Sequence, residues 1–359
     1  MDSENHYQGS ELMNADQTEQ AKAVLNEIAY QPYADPEEFI VEWTDRIWVE
    51  RGVGLIRENY APDSIVHGAY GTGIGVEPVV RSTLTKISGF PDRVGQAEDV
   101  VWEARGDDAF LSSHRIFSSG TDTSLSTYGP PSGRRYSAKT IANCLYRRGV
   151  MEEEWVVRDE FAVISDLGLD PEAVARGLAF SEFTGSATLS DSVDVLAGGD
   201  SGPRPDLFRG ECDFVLEMIE EVWNQRNFDR IGQYVPRDVL CHTTRNRTLS
   251  RQGNFQSSII DMLAPFPDAR IHVRDIAANY SEHHGGLRVA VVWWLTGTYT
   301  GVPAYGRPTG SPVQVLGSSQ FLFRDGKITT EWRIYDELST LTQIVHARGD
   351  EPAVISERA

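Results

Sequence analysis

Each half of the chain carries an aspartate at the end of a Trp-containing stretch that alternates like a β-strand. The two stretches are Glu154-Trp155-Val156-Val157-Arg158-Asp159 and Glu331-Trp332-Arg333-Ile334-Tyr335-Asp336. Alternate side chains of a strand share a face, so Asp159 lies on the face of Trp155 and Asp336 on the face of Trp332. An acid among apolar groups loses hydration, which raises its pKa toward the range useful for proton transfer. Both aspartates are therefore candidate catalytic acids or bases, and capping of the following helix is the alternative role.

The N-terminal half adds side chains that donate, accept or orient protons. They are His67 on the first predicted strand, Tyr70 after it, His114 in a later β-rich run, and Tyr136 and Lys139 beyond a Tyr-Gly-Pro turn. Imidazole, phenol and amine groups suit acid–base chemistry. We therefore predict that the N-terminal half is catalytic and that Asp159→Asn lowers turnover more than Asp336→Asn. The alternative is that His67 and His114 are packing residues of their strands.

Arginines and aromatic residues concentrate in the C-terminal half. They are Arg245, Arg247 and Arg251 after its first strand, followed by Trp293, Trp294, Tyr299 and Tyr305. Such groups hold a carboxylate or a flat aromatic substrate, although a solvated arginine loop and core tryptophans are the alternative. Either His242 or Cys241 occupies the position of His67. The candidate substrate-binding residues of the whole chain are Tyr70, Trp155, Tyr136, Lys139, His242, Arg245, Trp293 and Trp332.

The sequence lacks the residues that several other kinds of site require. His283-His284 has no carboxylate or third histidine at ligand spacing, so no metal site is predicted. Cys144, Cys212 and Cys241 are too few for a disulfide framework, and no partner base marks any of them as a nucleophile. The glycine-rich stretch Gly71-Thr72-Gly73-Ile74-Gly75 has no phosphate-loop lysine after it. The chemistry that the sequence supports is therefore acid–base chemistry by side chains.

The elements that position these residues occur twice. Sliding the sequence by 177 positions aligns residues 128–160 with 305–337 without a gap, with 11 identities in 33 positions. Upstream, Phe90-Pro91-Asp92 matches Phe266-Pro267-Asp268 at an offset of 176. Each half begins with apolar residues at helical spacing and continues with β-rich runs, a pattern typical of an α+β fold. The sequence therefore predicts two copies of one α+β domain.

The repeat and the composition between its copies suggest the domain boundaries. We predict an N-terminal arm or extra helix at 1–36, a first domain at 37–179, an acidic Ser/Gly-rich linker at 180–206, a second domain at 207–346 and a C-terminal tail at 347–359. Within the linker, Gly198-Gly199-Asp200-Ser201-Gly202-Pro203 is typical of a flexible connection.

Length and charge agree with two domains and narrow the choice of partners. A chain of 359 residues fits two domains of ordinary size, and a net charge of −20 repels phosphate backbones and anionic lipid. A hydrophobic content of 40% supplies packed cores, and no apolar run approaches the roughly 18 residues of a membrane span. Because the N-terminus lacks a signal-peptide pattern, we predict a cytoplasmic protein that binds a small molecule, with neither nucleic acid nor membrane as partner.

Several motifs of the second repeat resemble one known family. They are Pro308-Thr309-Gly310-Ser311-Pro312-Val313, Phe321-Leu322-Phe323-Arg324-Asp325-Gly326-Lys327-Ile328, Glu331-Trp332 and Asp336-Glu337-Leu338. This set resembles the SnoaL-like polyketide cyclases of the nuclear transport factor 2-like superfamily. The resemblance implies a curved antiparallel sheet wrapped around N-terminal helices into a cone, with a pocket at the open end and no metal or redox cofactor. Asp159 and Asp336 match the aspartate thought to shuttle a proton during aldol closure in that family.

The resemblance also implies an assembly and a function. Stand-alone members dimerise through their sheets, so the two repeats are expected to form such a pair within one chain, and a homo-oligomer is a further option. We predict a cofactor-independent cyclase, isomerase, hydratase or lyase for a small hydrophobic carbonyl compound. A non-catalytic ligand-binding or assembly module of the same fold is the alternative. A desolvated aspartate beside a histidine in an enclosed cavity favours catalysis, whereas a pocket filled by its own aromatic residues favours the module.

Overall fold

The computed structural model describes residues 17, 19–20, 22–183 and 207–350. Most of the predicted linker at 180–206, the first part of the predicted arm and the end of the predicted tail lie outside these residues. Within them, no helix combines the length and apolar character needed to cross a lipid bilayer.

The N-terminal repeat places short helices before and between its strands. Its helices are α1 (Pro36–Thr44), α2 (Ile56–Asn59), α3 (Val76–Gly89), α4 (Glu160–Asp166) and α5 (Pro171–Phe183), with a π-helix at Asp45–Val49 and 3₁₀ turns at Glu27–Ala29 and Val53–Leu55. Its strands are β1 (Tyr60–Gly68), β2 (Gly71–Ile74), β3 (Val94–Ala104), β4 (Ala109–Thr121), β5 (Arg135–Arg147) and β6 (Val150–Arg158).

The C-terminal repeat follows the same course. Its helices are α6 (Arg209–Met218), α7 (Ile231–Tyr234), α8 (Gln252–Leu263) and α9 (Glu337–Arg348), with a π-helix at Ile219–Asn224 and a 3₁₀ turn at Phe228–Arg230. Its strands are β7 (Leu240–Thr243), β8 (Arg247–Ser250), β9 (Arg270–Ser281), β10 (Gly286–Thr298), β11 (Pro312–Arg324) and β12 (Lys327–Tyr335).

Helix α1 begins at residues that favour a helix N-terminus. The Asp35 carboxylate accepts a hydrogen bond from the Glu38 N–H at 2.9 Å, and Pro36 occupies the first turn, where its missing N–H leaves nothing unsatisfied. Phe39 is fully buried, and Ile47 in the following π-helix is buried as well. The apolar stripe of this helical segment therefore packs on the sheet behind it.

The two sheets have the same strand order. The first runs β2-β1-β6-β5-β4-β3 and the second β8-β7-β12-β11-β10-β9. In each sheet the first strand along the chain pairs in parallel with the last, β1 with β6 and β7 with β12. Every other pairing is antiparallel. The predicted α+β class with two repeated sheets is confirmed, but each sheet is mixed rather than antiparallel throughout.

Each sheet has two buried faces. The inner face is covered by helices of its own repeat, as where Trp293 and Tyr335 pack with Val215 and Phe255. The outer face packs on the other sheet, in a cluster that joins both repeats. That cluster comprises Val101, Leu111, Ile141, Trp155, Val157, Ala277, Ala290, Val292, Trp294, Leu316 and Ile334. The repeats are thus paired sheet to sheet within one chain.

Candidate functional site

Asp159 lies where β6 ends and α4 begins, in contact with the other repeat. Its carboxylate accepts one hydrogen bond from the Ala162 N–H and another from the Asn246 N–H, both at 3.1 Å. Burial raises the pKa of Asp159, and the backbone N–H groups that face it act in the opposite direction. These contacts support the capping role, and proton transfer by Asp159 stays a prediction.

Asp336 stands at the equivalent place in the second repeat with different contacts. Its side chain forms no capping hydrogen bond to α9, and its Oδ2 is buried without a hydrogen-bond partner among the described residues. Burial raises the pKa of Asp336 well above its usual value, and the carboxylate of Glu160 adds to the effect. Burial therefore favours the uncharged form of Asp336, whereas Asp159 is a hydrogen-bonded cap.

This contrast gives a stability prediction. Asp159→Ala removes the cap of α4 and the contact to Asn246, so we expect the free energy of unfolding to fall by about 1 kcal/mol. Asp336→Ala is the matched control, because the side chain at that position caps nothing. Urea denaturation of both variants measures the difference. A larger loss for Asp336→Ala would contradict the assigned roles.

His67 and His242 are equivalent residues. His67 stacks on Trp155 with ring centroids 5.3 Å apart, and His242 stacks on Trp332 at 5.6 Å. The His67 Nδ1 lies 3.0 Å from Thr72 Oγ1, and its Nε2 lies 2.9 Å from Glu153 Oε1. Because Trp155 belongs to the outer face, both histidines lie between the sheets. Their surroundings support packing and pairing, and catalysis by His67 stays a prediction.

His114 is on the opposite side of its sheet. It pairs in register with Val100, which belongs to the core under α1, and its Nδ1 lies 3.2 Å from Thr44 Oγ1. Burial, and then the nearby Arg115, lowers the pKa of His114 to about 3. His114 is therefore a neutral core histidine. It does not share a site with His67 or Asp159.

The depressed pKa of His114 predicts how acid affects folding. An unfolded histidine titrates near 6.5, so between pH 6.5 and about 3 the unfolded chain binds one more proton than the folded one, and stability falls as pH falls. His114→Gln keeps a partner for Thr44 without this titration. We expect urea denaturation to show a smaller loss of stability between pH 7 and pH 5 in the variant. An equal loss in both proteins would contradict the assignment.

The other predicted substrate-binding residues are mostly engaged with neighbours. Lys139 forms an ion pair with Glu98 at 2.6 Å, and Arg245 forms a bidentate pair with Glu337 at 2.8 and 2.7 Å. The remaining contacts are Tyr70 with Glu160 at 3.1 Å, Tyr136 with Phe90 at 4.8 Å between rings, Trp155 under Arg274 and Trp332 under Arg115. Only Trp293 of this set lines the cavity of the second repeat.

That cavity lies between the inner face of the second sheet and its helices. Its lining comprises Ile219, Trp223, Ile271, Trp293, Ser319, Phe321, Glu331 and Arg333. The Trp293 indole N–H donates to Ser319 Oγ at 3.2 Å, and Ser319 donates in turn to Glu331 Oε1 at 3.0 Å. The carboxylate of Glu331 and the guanidinium of Arg333 thus lie close together in a cavity lined by aromatic side chains.

Arg333 is the most unusual residue of this cavity. It is 1% exposed, its Nη2 donates to Ser258 Oγ at 2.6 Å, and its Nη1 lies 3.6 Å from Glu331 Oε2. Its Nε and Nη1 have no hydrogen-bond partner among the described residues. A buried N–H without an acceptor is costly, so these donors are suited to a ligand oxygen.

Cys241 borders the same group. Its sulfur lies 3.8 Å from Glu331 Oε2 and 3.5 Å from Arg333 Nη2. Burial raises the pKa of the Cys241 thiol to about 12, so it is a neutral neighbour rather than a nucleophile. The described residues contain no cluster of three His, Cys, Asp or Glu side chains placed to hold a metal ion.

The first repeat lacks this arrangement. Glu154 occupies the position of Glu331, but Val156 stands where the second repeat has Arg333. Glu154 accepts a hydrogen bond from the Tyr60 hydroxyl at 3.0 Å, and burial raises its pKa. The Glu–Arg pair is therefore a feature of the second repeat alone. The alternation of Glu331 and Arg333 around Trp332 was the sequence signal that could have revealed it.

One sequence family and several solved structures are similar to part of this chain. The family model described as SnoaL-like polyketide cyclase matches residues 214–344. A comparison with curated proteins finds no match. Among solved structures, a candidate polyketide cyclase from Acidithiobacillus ferrooxidans is 20% identical, with 38% of this chain and 94% of that chain covered and a TM-score of 0.33. TsrD from Streptomyces laurentii is 22% identical, with 36% and 92% covered and a TM-score of 0.32.

A SnoaL-like polyketide cyclase from Agrobacterium tumefaciens is 20% identical, with 36% of this chain and 94% of that chain covered and a TM-score of 0.30. Because these TM-scores and identities are low, the family assignment rests on the sequence match. The matched segment begins within α6, contains all six strands of the second sheet and ends within α9. Residues 214–344 of this chain therefore match the SnoaL-like polyketide cyclase family.

Proposed function

We propose that the second repeat is a cofactor-independent acid–base enzyme of the cyclase or isomerase type, acting on a small hydrophobic carbonyl compound. The buried pair of Glu331 and Arg333 inside an aromatic cavity is the observation that carries this proposal. This cavity differs from the site predicted around Asp159, because it lies on the inner face of the second sheet.

The geometry suggests a role for each group. A carbonyl oxygen placed at the free Nη1 of Arg333 would receive one N–H donor beside the guanidinium charge, which together stabilise the negative charge of an enolate as it forms. Glu331 would remove the proton next to that carbonyl, since its Oε2 accepts no hydrogen bond from oxygen or nitrogen in the described residues. Trp223 and Trp293 would hold the apolar part of the substrate.

The size of the cavity favours the alternative function. Its free volume is about 10 Å³, which is room for one water molecule, because the aromatic side chains fill most of the space. A substrate can enter only if Trp223, Trp293 or a neighbouring helix moves. A non-catalytic assembly module would need no such movement.

One experiment separates the two functions. Acetophenone is a small aromatic ketone with exchangeable α-protons, so the wild-type protein is incubated with it in deuterium oxide and exchange is followed by NMR. Tryptophan fluorescence reports binding in parallel, because two tryptophans line the cavity. Binding with catalysed exchange supports the enzyme, and binding without exchange supports the module.

The finer predictions of location and assembly also stay proposals. Cys144, Cys212 and Cys241 are free and buried, which is compatible with the proposed reducing, cytoplasmic location. The paired outer faces of the two sheets support an intramolecular pseudo-dimer as the functional unit.

A further inference from the structure

Three basic side chains of the first repeat meet near the end of β6. Lys86 comes from the last turn of α3, Arg93 from the turn before β3, and Arg158 is the last residue of β6. Electrostatic repulsion from Arg158 acts on both of the other two, and Arg93 also acts on Lys86. We call these three residues the cation cluster.

The side chains of the cation cluster lie on the inner side of the first sheet. Glu154 faces inward, because its carboxylate bonds to the core residue Tyr60, and Arg158 lies four residues further on the same face. On α3, Thr83 is buried and accepts a hydrogen bond from Trp48, and Lys86 follows one helical turn later. All three cations are half-buried, so a ligand from solvent can reach them.

None of the three forms an ion pair within 4 Å in the part of the chain that the structure describes. Three carboxyl groups are near. Asp336 accepts a hydrogen bond from the backbone N–H of Arg158, and burial favours its uncharged form. Tyrosine hydroxyls donate to the other two. Tyr70 donates to Glu160 Oε2 at 3.1 Å, with a second hydrogen bond from Tyr128, and Tyr60 donates to Glu154 Oε2 at 3.0 Å. Within the described ranges, the side chain of Arg93 forms a hydrogen bond only with the hydroxyl of Tyr136. The donors of the cluster therefore lack the anionic partners that buried cations normally have.

The second repeat has uncharged side chains at the equivalent positions. Phe90-Pro91-Asp92-Arg93 aligns with Phe266-Pro267-Asp268-Ala269, and Asp92 and Asp268 make the same hydrogen bonds, to Thr121 and Thr298. By this alignment, Ala269 replaces Arg93, Met262 replaces Lys86, and Tyr335 replaces Arg158. All three replacements are buried in the core of the second repeat. The fold is therefore built without cations at these places.

We propose that the cation cluster of the first repeat is a binding site for an organic carboxylate. With Lys86 protonated and Asp336 uncharged, three cations against Glu154 and Glu160 leave one positive charge, which a carboxylate neutralises and a phosphate dianion exceeds. Planar guanidinium groups also match the two oxygens of a carboxylate. Burial, reinforced by Arg158, lowers the pKa of Lys86 well below its usual value, and a bound anion would favour its charged form.

Benzoate is the probe, with inorganic phosphate as the competing anion, and binding is measured by calorimetry on the full chain. We expect wild-type protein to bind benzoate more tightly than phosphate. Arg158→Tyr and Lys86→Met, which install the residues of the second repeat, should each weaken benzoate binding about tenfold or more. Arg57→Met is the matched control, because Arg57 is a cation of the same repeat already paired with Glu77. It should bind benzoate like the wild type.

Circular dichroism shows whether each variant folds, and Arg93→Ala supplies a third variant if one of the others does not. Phosphate binding as tight as benzoate binding would overturn the carboxylate assignment. Undetectable benzoate binding at millimolar concentration, or equal binding by wild type and the folded variants, would overturn the site itself.

Discussion

Glu331→Gln is expected to lower the rate of α-proton exchange in acetophenone by about 10²–10⁴-fold, the usual cost of removing a general base. Glutamine keeps the shape of the side chain and an oxygen for the Ser319 hydroxyl, which now donates at 3.0 Å, but it cannot accept the substrate proton. NMR exchange rates at saturating ketone measure the effect. Binding, followed by tryptophan fluorescence, should change less than exchange.

Glu154→Gln is the control for this prediction. Glu154 occupies the same position in the first repeat and is also buried, but Val156 stands where an arginine would be needed to receive the carbonyl oxygen. Its exchange rate should equal that of the wild type. If Glu154→Gln abolishes exchange and Glu331→Gln does not, the reaction belongs to the first repeat, as the sequence analysis predicted.

The repeat made the fold predictable from the sequence. Turn residues such as Gly326 in Arg324-Asp325-Gly326-Lys327, which has a positive φ, mark the hairpin between β11 and β12, and apolar periodicity marks the helices. The two halves could be checked against each other, because the same element must occur at the aligned positions of both. The parallel pairings of β1 with β6 and β7 with β12 join distant segments, so local patterns did not reveal them.

The site was harder to predict because both faces of each sheet are buried. Alternation divided Glu331, Arg333 and Tyr335 correctly from Trp332, Ile334 and Asp336, but both sets contain apolar and charged residues. Composition therefore could not show which set faces the helices. The outer face carries Ile334 because a second sheet covers it, and the inner face carries Tyr335 because helices cover it. Only the pairing of the repeats distinguishes them.

Arg333→Met is expected to make the protein much less stable at neutral pH, by about 3–5 kcal/mol, because it leaves the Glu331 carboxylate buried without its cation. Glu331 is 1% exposed, and Arg333 is the cation within 4 Å of it in the described chain. The first repeat already shows the effect on a carboxyl with valine in place of that arginine. There, burial raises the pKa of Glu154.

The pH dependence of this variant identifies the cause. Without Arg333 the charged form of Glu331 is buried without its cation, so the destabilisation should be small below pH 4, where glutamates carry a proton, and grow as pH rises. Urea denaturation of Arg333→Met between pH 4 and pH 8 measures this growth. The double variant Glu331→Gln/Arg333→Met has no carboxyl to titrate there, so its loss of stability should not depend on pH in that range. A loss in Arg333→Met that is the same at pH 4 and pH 8 would mean that Arg333 supports the core by packing against Trp223 and Phe255 rather than by holding the charge of Glu331.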